Sequence, residues 1–241
     1  MSKDRNAVGL EIGMLLHVFP SKNQQIVRLL VMSSIKTSFA IKPIGRLMVG
    51  LYLVGLGLAM MIHTGLGVPP WDVLTQGLQH QTGWSFGISA TVISALVLMM
   101  WIPIKQKPGL GTVINAISIG PFADLSKPLM PEIDGLFLNI VWLCLGLAFV
   151  ALGSGLYISA NLGGGPRDGL MVGLTRVSGW PFWIIRSLGE GTVLLSGWLL
   201  GGTVGIGTAL FAVGIGYMLQ ITMKLFGFDP KKTQNGAKTS K

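Results

Sequence analysis

The sequence predicts an all-α, polytopic membrane protein built from two copies of one unit, and three observations support this. Half of the 241 residues are hydrophobic and only 11% are charged, whereas soluble domains carry about 25% charged residues. The mean hydropathy is +0.64. Residues 51–124 align without a gap with residues 147–220, and 24 of the 74 aligned pairs are identical. We therefore expect six transmembrane helices, arranged as two inverted three-helix repeats.

Six apolar segments approach the length of about 20 residues that a helix needs to cross a bilayer. They cover residues 44–63, 85–104, 109–126, 137–158, 182–201 and 205–226. The third segment is the least apolar, because it carries Asn115, Pro121 and Asp124. The predicted parts of the chain are an N-terminal cytoplasmic or interfacial extension (1–41), a first membrane repeat (42–132), a second membrane repeat (133–228) and a basic cytoplasmic tail (229–241).

The placement of lysine and arginine predicts the orientation, because cytoplasmic loops of membrane proteins carry an excess of both. Basic residues cluster before the first segment, between the second and third, and after the sixth. Six crossings with both termini in the cytoplasm place these clusters inside and leave Lys127 outside. Three crossings per repeat would invert the second copy relative to the first, as in many secondary transporters.

A short helix opened by a proline is predicted after the first segment of each repeat. Pro70 and Pro166 suit the first turn of a helix, where a missing N–H costs nothing. Each half-helix is expected to run about ten residues, or roughly 15 Å, which is half a bilayer. It is either re-entrant or amphipathic at the membrane interface, and the glycines at 163–165 fit a non-helical entry that protein or a water-filled cavity must cover.

Arg186 and Glu190 lie four residues apart within the fifth segment, so they share one helix face and can pair. Their counterparts in the first repeat are Ala90 and Ser94, so the pair breaks the internal symmetry. Charge inside a membrane span indicates function by default. Glu190 is then the candidate proton or cation site, and Arg186 holds it ionised or binds an anionic group of a substrate. The alternative is an ion pair that only fixes helix packing.

Asp72 and Asp168 occupy equivalent positions, two residues after each proline. A carboxylate there can simply satisfy the free N–H groups and the positive end of the helix dipole. Alternatively, both helix starts face a transport path. Arg167 stands where the first copy has Trp71, and it either contributes charge to that path or anchors the chain at the cytoplasmic interface.

Several classes of function find no support in the sequence. The motifs of serine hydrolases, zinc proteases and P-loop enzymes are absent, so we expect no enzyme activity and no cofactor or metal. The single cysteine, Cys144, excludes an internal disulfide and a cysteine metal cluster. The net charge of +9 comes from segments that flank apolar spans, and no basic face typical of nucleic-acid binding is visible.

Three stretches, at 66–74, 162–171 and 197–202, resemble the YczE-type membrane proteins, a group that includes YyaS and YitT. The resemblance covers roughly residues 44–226, and its most specific part is Gly-Pro-Arg-Asp-Gly-Leu-Met at 165–171. The resemblance implies a polytopic protein of the bacterial inner membrane. It supplies no catalytic residues.

The sequence as a whole favours a secondary transporter of an unidentified small molecule that works by alternating access between inverted repeats. Export is one candidate direction of transport, and Glu190 is the candidate residue for proton coupling. The expected path residues are Asp72, Asp168, Arg167, Arg186, Glu190, Asn115 and Asn161. The alternative is a non-transporting accessory or scaffold protein for a partner pathway, which the basic extensions would suit. A passive channel is less favoured, because no span shows a ring of like polar residues. The sequence leaves the substrate and the oligomeric state open.

Overall fold

The computed structural model describes residues 21–226, with side chains described from Pro43 onward. These residues form eight α-helices and no strand. The helices are α1 (Ser21–Thr64), α2 (Pro70–Thr82), α3 (Phe86–Met100), α4 (Leu110–Ser126), α5 (Leu136–Ser159), α6 (Pro166–Ser178), α7 (Phe182–Leu199) and α8 (Ile206–Leu225). The chain divides into two compact units, Met1–Ile44 and Gly45–Lys241, and every contact described below lies within the second. The predicted tail at 229–241 and the first 20 residues lie outside the described residues.

Three described helices are long and apolar enough to cross a membrane: the Pro43–Thr64 part of α1, α5 and α8. The pair α2 and α3 passes the same test together but bends by 116° at its break, which makes four spans if the pair counts as one. An all-helical membrane protein is thus confirmed, while the six crossings and the inverted arrangement stay predictions.

The other predicted spans are helical but short. The helix α3 has 15 residues and ends at Met100, four residues before the predicted end. The helix α4 has 17 residues, which rise about 26 Å against a hydrocarbon core of about 30 Å. The helix α7 has 18 residues and carries Arg186 and Glu190, which lower its hydropathy.

The two Pro-led short helices are present and start where the prolines predict. Pro70 and Pro166 are the first residues of α2 and α6, and each helix has 13 residues rather than about ten. Both end at a glycine in the left-handed region, Gly83 with φ 73° and Gly179 with φ 72°. A glycine at this position closes a helix without the steric cost that a side chain would add.

The sequence repeat is also a backbone repeat. The starts of α2, α3 and α4 precede those of α6, α7 and α8 by the same 96 residues. Backbone positions with positive φ recur at this spacing too. They are Gly65 and Asn161, Gly67 and Gly163, Gly83 and Gly179, and Lys105 and Gly201.

Four of the hydrogen bonds between the two copies form reciprocal pairs. Each of the four joins the start of the last helix of one copy to the segment that precedes the short helix of the other copy. The four bonds are Gly111 N–H to Leu162 O (2.8 Å), Gly207 N–H to Leu66 O (2.9 Å), Thr112 Oγ1 to Gly164 O (2.8 Å) and Thr208 Oγ1 to Val68 O (2.8 Å). When residue i contacts j and their equivalents make the same contact in reverse, the two units are related as in a two-fold dimer.

The same reciprocity governs the crossing of α1 and α5, the first helices of the two copies. A Cβ atom on Gly57 would lie 2.5 Å from the carbonyl oxygen of Gly146, and one on Gly50 would lie 2.7 Å from that of Gly153. Small residues let helix backbones approach this closely. The main apolar core surrounds the crossing, and its fully buried members include Leu47, Leu51, Met61 and Leu143.

We predict that Gly57→Ala lowers the free energy of unfolding by about 1–3 kcal/mol, the usual cost of overpacking. The added methyl group would meet the backbone of Gly146 and Val150, which cannot move aside as a flexible side chain would. The measurement is thermal unfolding of the purified protein in detergent. The matched control is Gly216→Ala, since no described atom lies within 4 Å of the added Cβ. Equal melting temperatures for the two variants would contradict the packing described here.

Candidate functional site

A cavity of about 170 Å³ lies between the two copies. Seven pairs of equivalent residues line it, one member of each pair from each copy. The pairs that carry polar groups are Asp72 and Asp168, Ala90 and Arg186, Asn115 and Phe211, and Leu58 and Ser154. These pairs make up 14 of the 22 lining residues, so the lining is largely symmetric in position and asymmetric in its chemistry.

Both short helices begin at this cavity. Asp72 comes from the first turn of α2, and Gly165, Arg167 and Asp168 come from the start of α6. The first turn of a helix carries free N–H groups and a partial positive charge. Trp101, 3% exposed, donates from Nε1 to the carbonyl oxygen of Pro166 at 3.1 Å. This bond fixes the start of α6 against the end of α3.

An ion pair joins the first turns of the two short helices across the copies. Arg167 Nη2 lies 2.9 Å from Asp72 Oδ1, and Arg167 Nη1 lies 3.3 Å from Asp72 Oδ2. The Asp72 side chain is 3% exposed, and the Arg167 guanidinium also lies over the Trp71 ring at 5.5 Å. Among the described residues Asp72 accepts hydrogen bonds from Arg167 only, so it does not cap its own helix. Arg167 serves here as its partner in the protein interior rather than as an interfacial anchor.

Arg186 and Glu190 contact each other, with Arg186 Nε 2.9 Å from Glu190 Oε1. The Arg186 side chain is 42% exposed and lines the cavity, whereas Glu190 stands one helix turn further along α7, outside the lining. The pair therefore connects the cavity to a carboxylate behind its wall.

Asp168 differs from its equivalent, Asp72. It is exposed and lines the cavity. A Cβ atom on Gly165 would lie 3.3 Å from both Asp168 Oδ2 and the Tyr157 hydroxyl, so these groups converge on one point. Within residues 43–226 no hydrogen bond or ion pair engages the Asp168 carboxylate. One aspartate of the symmetric pair is thus held by arginine, and the other faces the cavity without such a partner.

The two asparagines have different places. Asn115 is 7% exposed and lines the cavity. Asn161 lies outside the cavity lining and ends α5 in the left-handed region, with φ 55°. Its equivalent in the first copy, Gly65, has φ 65°. Asparagine tolerates this conformation better than most residues, so the backbone angle is one reason for an asparagine at position 161.

Sequence reasoning missed Tyr157 and Ser154, which also line the cavity. Both belong to α5, the most apolar of the predicted spans, and they are three residues apart on one face of the helix. A search for polar residues at helical spacing inside apolar spans would have found them.

The apolar helices and the charged interior cavity define an integral membrane protein of the helical class. The chain belongs to a family of unknown function, DUF6198, whose model matches residues 41–224.

Three relatives support this membership. An uncharacterized protein of Haemophilus influenzae is 38% identical over 184 residues, which cover 76% of this chain and 84% of that protein. The uncharacterized membrane protein YczE of Bacillus subtilis is 32% identical, covering 72% of this chain and 82% of YczE. The uncharacterized protein YyaS of Bacillus subtilis is 26% identical, covering 73% of this chain and 90% of YyaS. The expected resemblance to the YczE group is confirmed. No solved structure matches the chain.

We predict that Arg167→Met destabilises the protein more than Asp72→Asn/Arg167→Met does. The single variant leaves a buried carboxylate without its counter-charge, which costs about 3–5 kcal/mol, whereas the double variant removes both charges. The measurement is a double-mutant cycle on thermal unfolding in detergent. Identical losses for the single and double variants would contradict the coupling of these two side chains.

Proposed function

We propose that the protein is a secondary transporter whose substrate site is the cavity between the two copies. The observation that carries the proposal is the lining itself: seven pairs of equivalent residues contribute to it, and charged groups from both short helix starts enter it. In transporters built from repeats, substrates bind near the membrane midplane at the repeat interface, where discontinuous helices present their N-termini.

The proposal includes inverted repeats and alternating access. The reciprocal hydrogen bonds are compatible with a two-fold relation between the copies. If each copy crosses the membrane three times, the two-fold axis lies in the membrane plane and the second copy is inverted. Rocking one copy against the other would then open the cavity to each side in turn.

In this proposal the short helices are re-entrant. The helix α2 meets α3 at a bend of 116°. Its residues Pro70, Asp72, Val73, Thr75 and Gln76 are buried in protein. A helix that ends inside a membrane needs such cover, because lipid cannot satisfy its terminal N–H groups.

Coupling to protons would run through Glu190. Because Glu190 contacts Arg186, and Arg186 lines the cavity, a proton on Glu190 would release the arginine toward the substrate. The contact thus offers a direct physical link between protonation and the occupancy of the cavity.

We predict that deletion of the gene changes the distribution of at least one small molecule between bacterial cells and medium. Wild-type protein restores this distribution, and the Arg186→Ala/Glu190→Gln variant does not, because it removes the charges proposed to act at the cavity. The measurement is untargeted metabolite profiling of cells and medium. The matched control is Asp134→Asn, which neutralises an exposed carboxylate in the loop before α5.

The control variant should restore the distribution fully at an equal level of protein in the membrane. If deletion moves no compound and yet impairs growth or another product, the transport proposal fails. A scaffold or accessory role for a partner pathway would then account for the protein.

A further inference from the structure

We infer that the ligand of the cavity is a small zwitterion that carries one cationic and one anionic group, as an amino acid does. The inference rests on the proposed function in that it takes the cavity as the substrate site. It follows from a comparison of the charged side chains in the lining, of which two pair with each other and two do not.

Two of the four charged lining residues neutralise each other. Asp72 is almost fully buried, and its carboxylate accepts hydrogen bonds from both terminal nitrogens of Arg167. A bidentate pair of this kind engages both carboxylate oxygens and both terminal nitrogens of the guanidinium. The charged lining residues left for a ligand are Asp168 and Arg186, and of these Arg186 is engaged only through its Nε, by Glu190.

Asp168 supplies the negative side. Its carboxylate is exposed to the cavity and has no hydrogen bond or ion pair with another residue of the described chain. The Tyr157 hydroxyl converges on the same space beside Gly165, and the buried Asn115 amide also lines the cavity. An ammonium group of a ligand would meet the Asp168 carboxylate and the Tyr157 hydroxyl oxygen here, both of which accept hydrogen bonds.

Arg186 supplies the positive side. It turns its Nε toward Glu190, and its two terminal nitrogens make no hydrogen bond within the described part of the chain. Those nitrogens form the planar fork that binds a carboxylate through two parallel bonds. Within the described residues Arg186 and Asp168 form no direct ion pair, so both side chains are available to the two ends of one ligand.

The groups that stay open select against simpler ligands. A ligand with a cation alone would leave the terminal nitrogens of Arg186 without an acceptor, and a ligand with an anion alone would leave the Asp168 carboxylate without a counter-charge. The volume of about 170 Å³ limits the ligand to a small molecule. Apolar groups of Ile119, Phe211 and Ile215 complete the lining and would accept an aliphatic or aromatic side chain.

The test measures ligand binding to the purified full-length protein in detergent. Binding is detected by calorimetry and by the shift of the melting temperature. The probes are the α-amino acids with aliphatic or aromatic side chains, each compared with its amide, which lacks the anion, and its deamino acid, which lacks the cation. We expect at least one amino acid to bind and its two analogues to bind at least about tenfold more weakly.

Asp168→Asn and Arg186→Gln should each weaken binding of that amino acid by at least about tenfold, whereas Asp134→Asn should leave it unchanged. The two variants should also differ. Asp168→Asn should bind the amino acid and its deamino acid with equal affinity. Arg186→Gln should bind the amino acid and its amide with equal affinity. A merely structural role would weaken all three probes together.

Binding of no amino acid, or equal binding of an amino acid and its singly charged analogues, would overturn the inference. Flux into proteoliposomes separates this failure from that of the proposed function. If a singly charged or neutral solute crosses the membrane, the transport proposal stands and the zwitterion inference fails. If an amino acid binds but does not cross, the zwitterion inference stands and the transport proposal fails.

Discussion

The close crossing of α1 and α5 is the constraint on which the rest of the structure depends. Glycines at 50, 57, 146 and 153 bring the two backbones into contact, and any Cβ there would meet the main chain of the other helix. On the same helices, Val54 and Leu58 of α1 and Val150 and Ser154 of α5 line the cavity. The crossing therefore fixes the wall against which both short helices present their first turns.

Duplication gives the cavity equivalent positions, and substitution has made their chemistry unequal. Asp72 and Asp168 stand at the same place in each copy, but only the second copy has an arginine beside its aspartate, and that arginine pairs with the aspartate of the first. The exchange across the copies leaves Asp168 facing the cavity. A second substitution, of Ala90 by Arg186, adds a positive charge on one side only. Such asymmetry suits a site that holds one ligand in one orientation.

The sequence predicted what depends on local chemistry. The proline starts of the short helices and the Arg186–Glu190 contact follow from spacings of a few residues, and the repeat follows from comparing the sequence with itself. The Asp72–Arg167 pair joins residues far apart in the chain, and only the packing of α2 and α6 starts at one cavity brings them together. Its polarity made Asn161 a candidate path residue, and composition did not reveal its positive φ or its place outside the cavity lining. The end of α3 also differs from the one that hydropathy predicts, because apolar residues continue into the turn that follows.

The account's central claim is that the cavity opens to both sides of the membrane in turn. The single cysteine makes this testable, since Cys144→Ser gives a cysteine-free chain. Ser154→Cys then places one thiol in the cavity lining, and Asp134→Cys places one in an exposed loop as the control. The measurement is labelling by a membrane-impermeant thiol reagent in vesicles of both orientations. The account predicts that Ser154→Cys reacts from both sides and Asp134→Cys from one. Reaction of Ser154→Cys from one side only, or from neither, would contradict it.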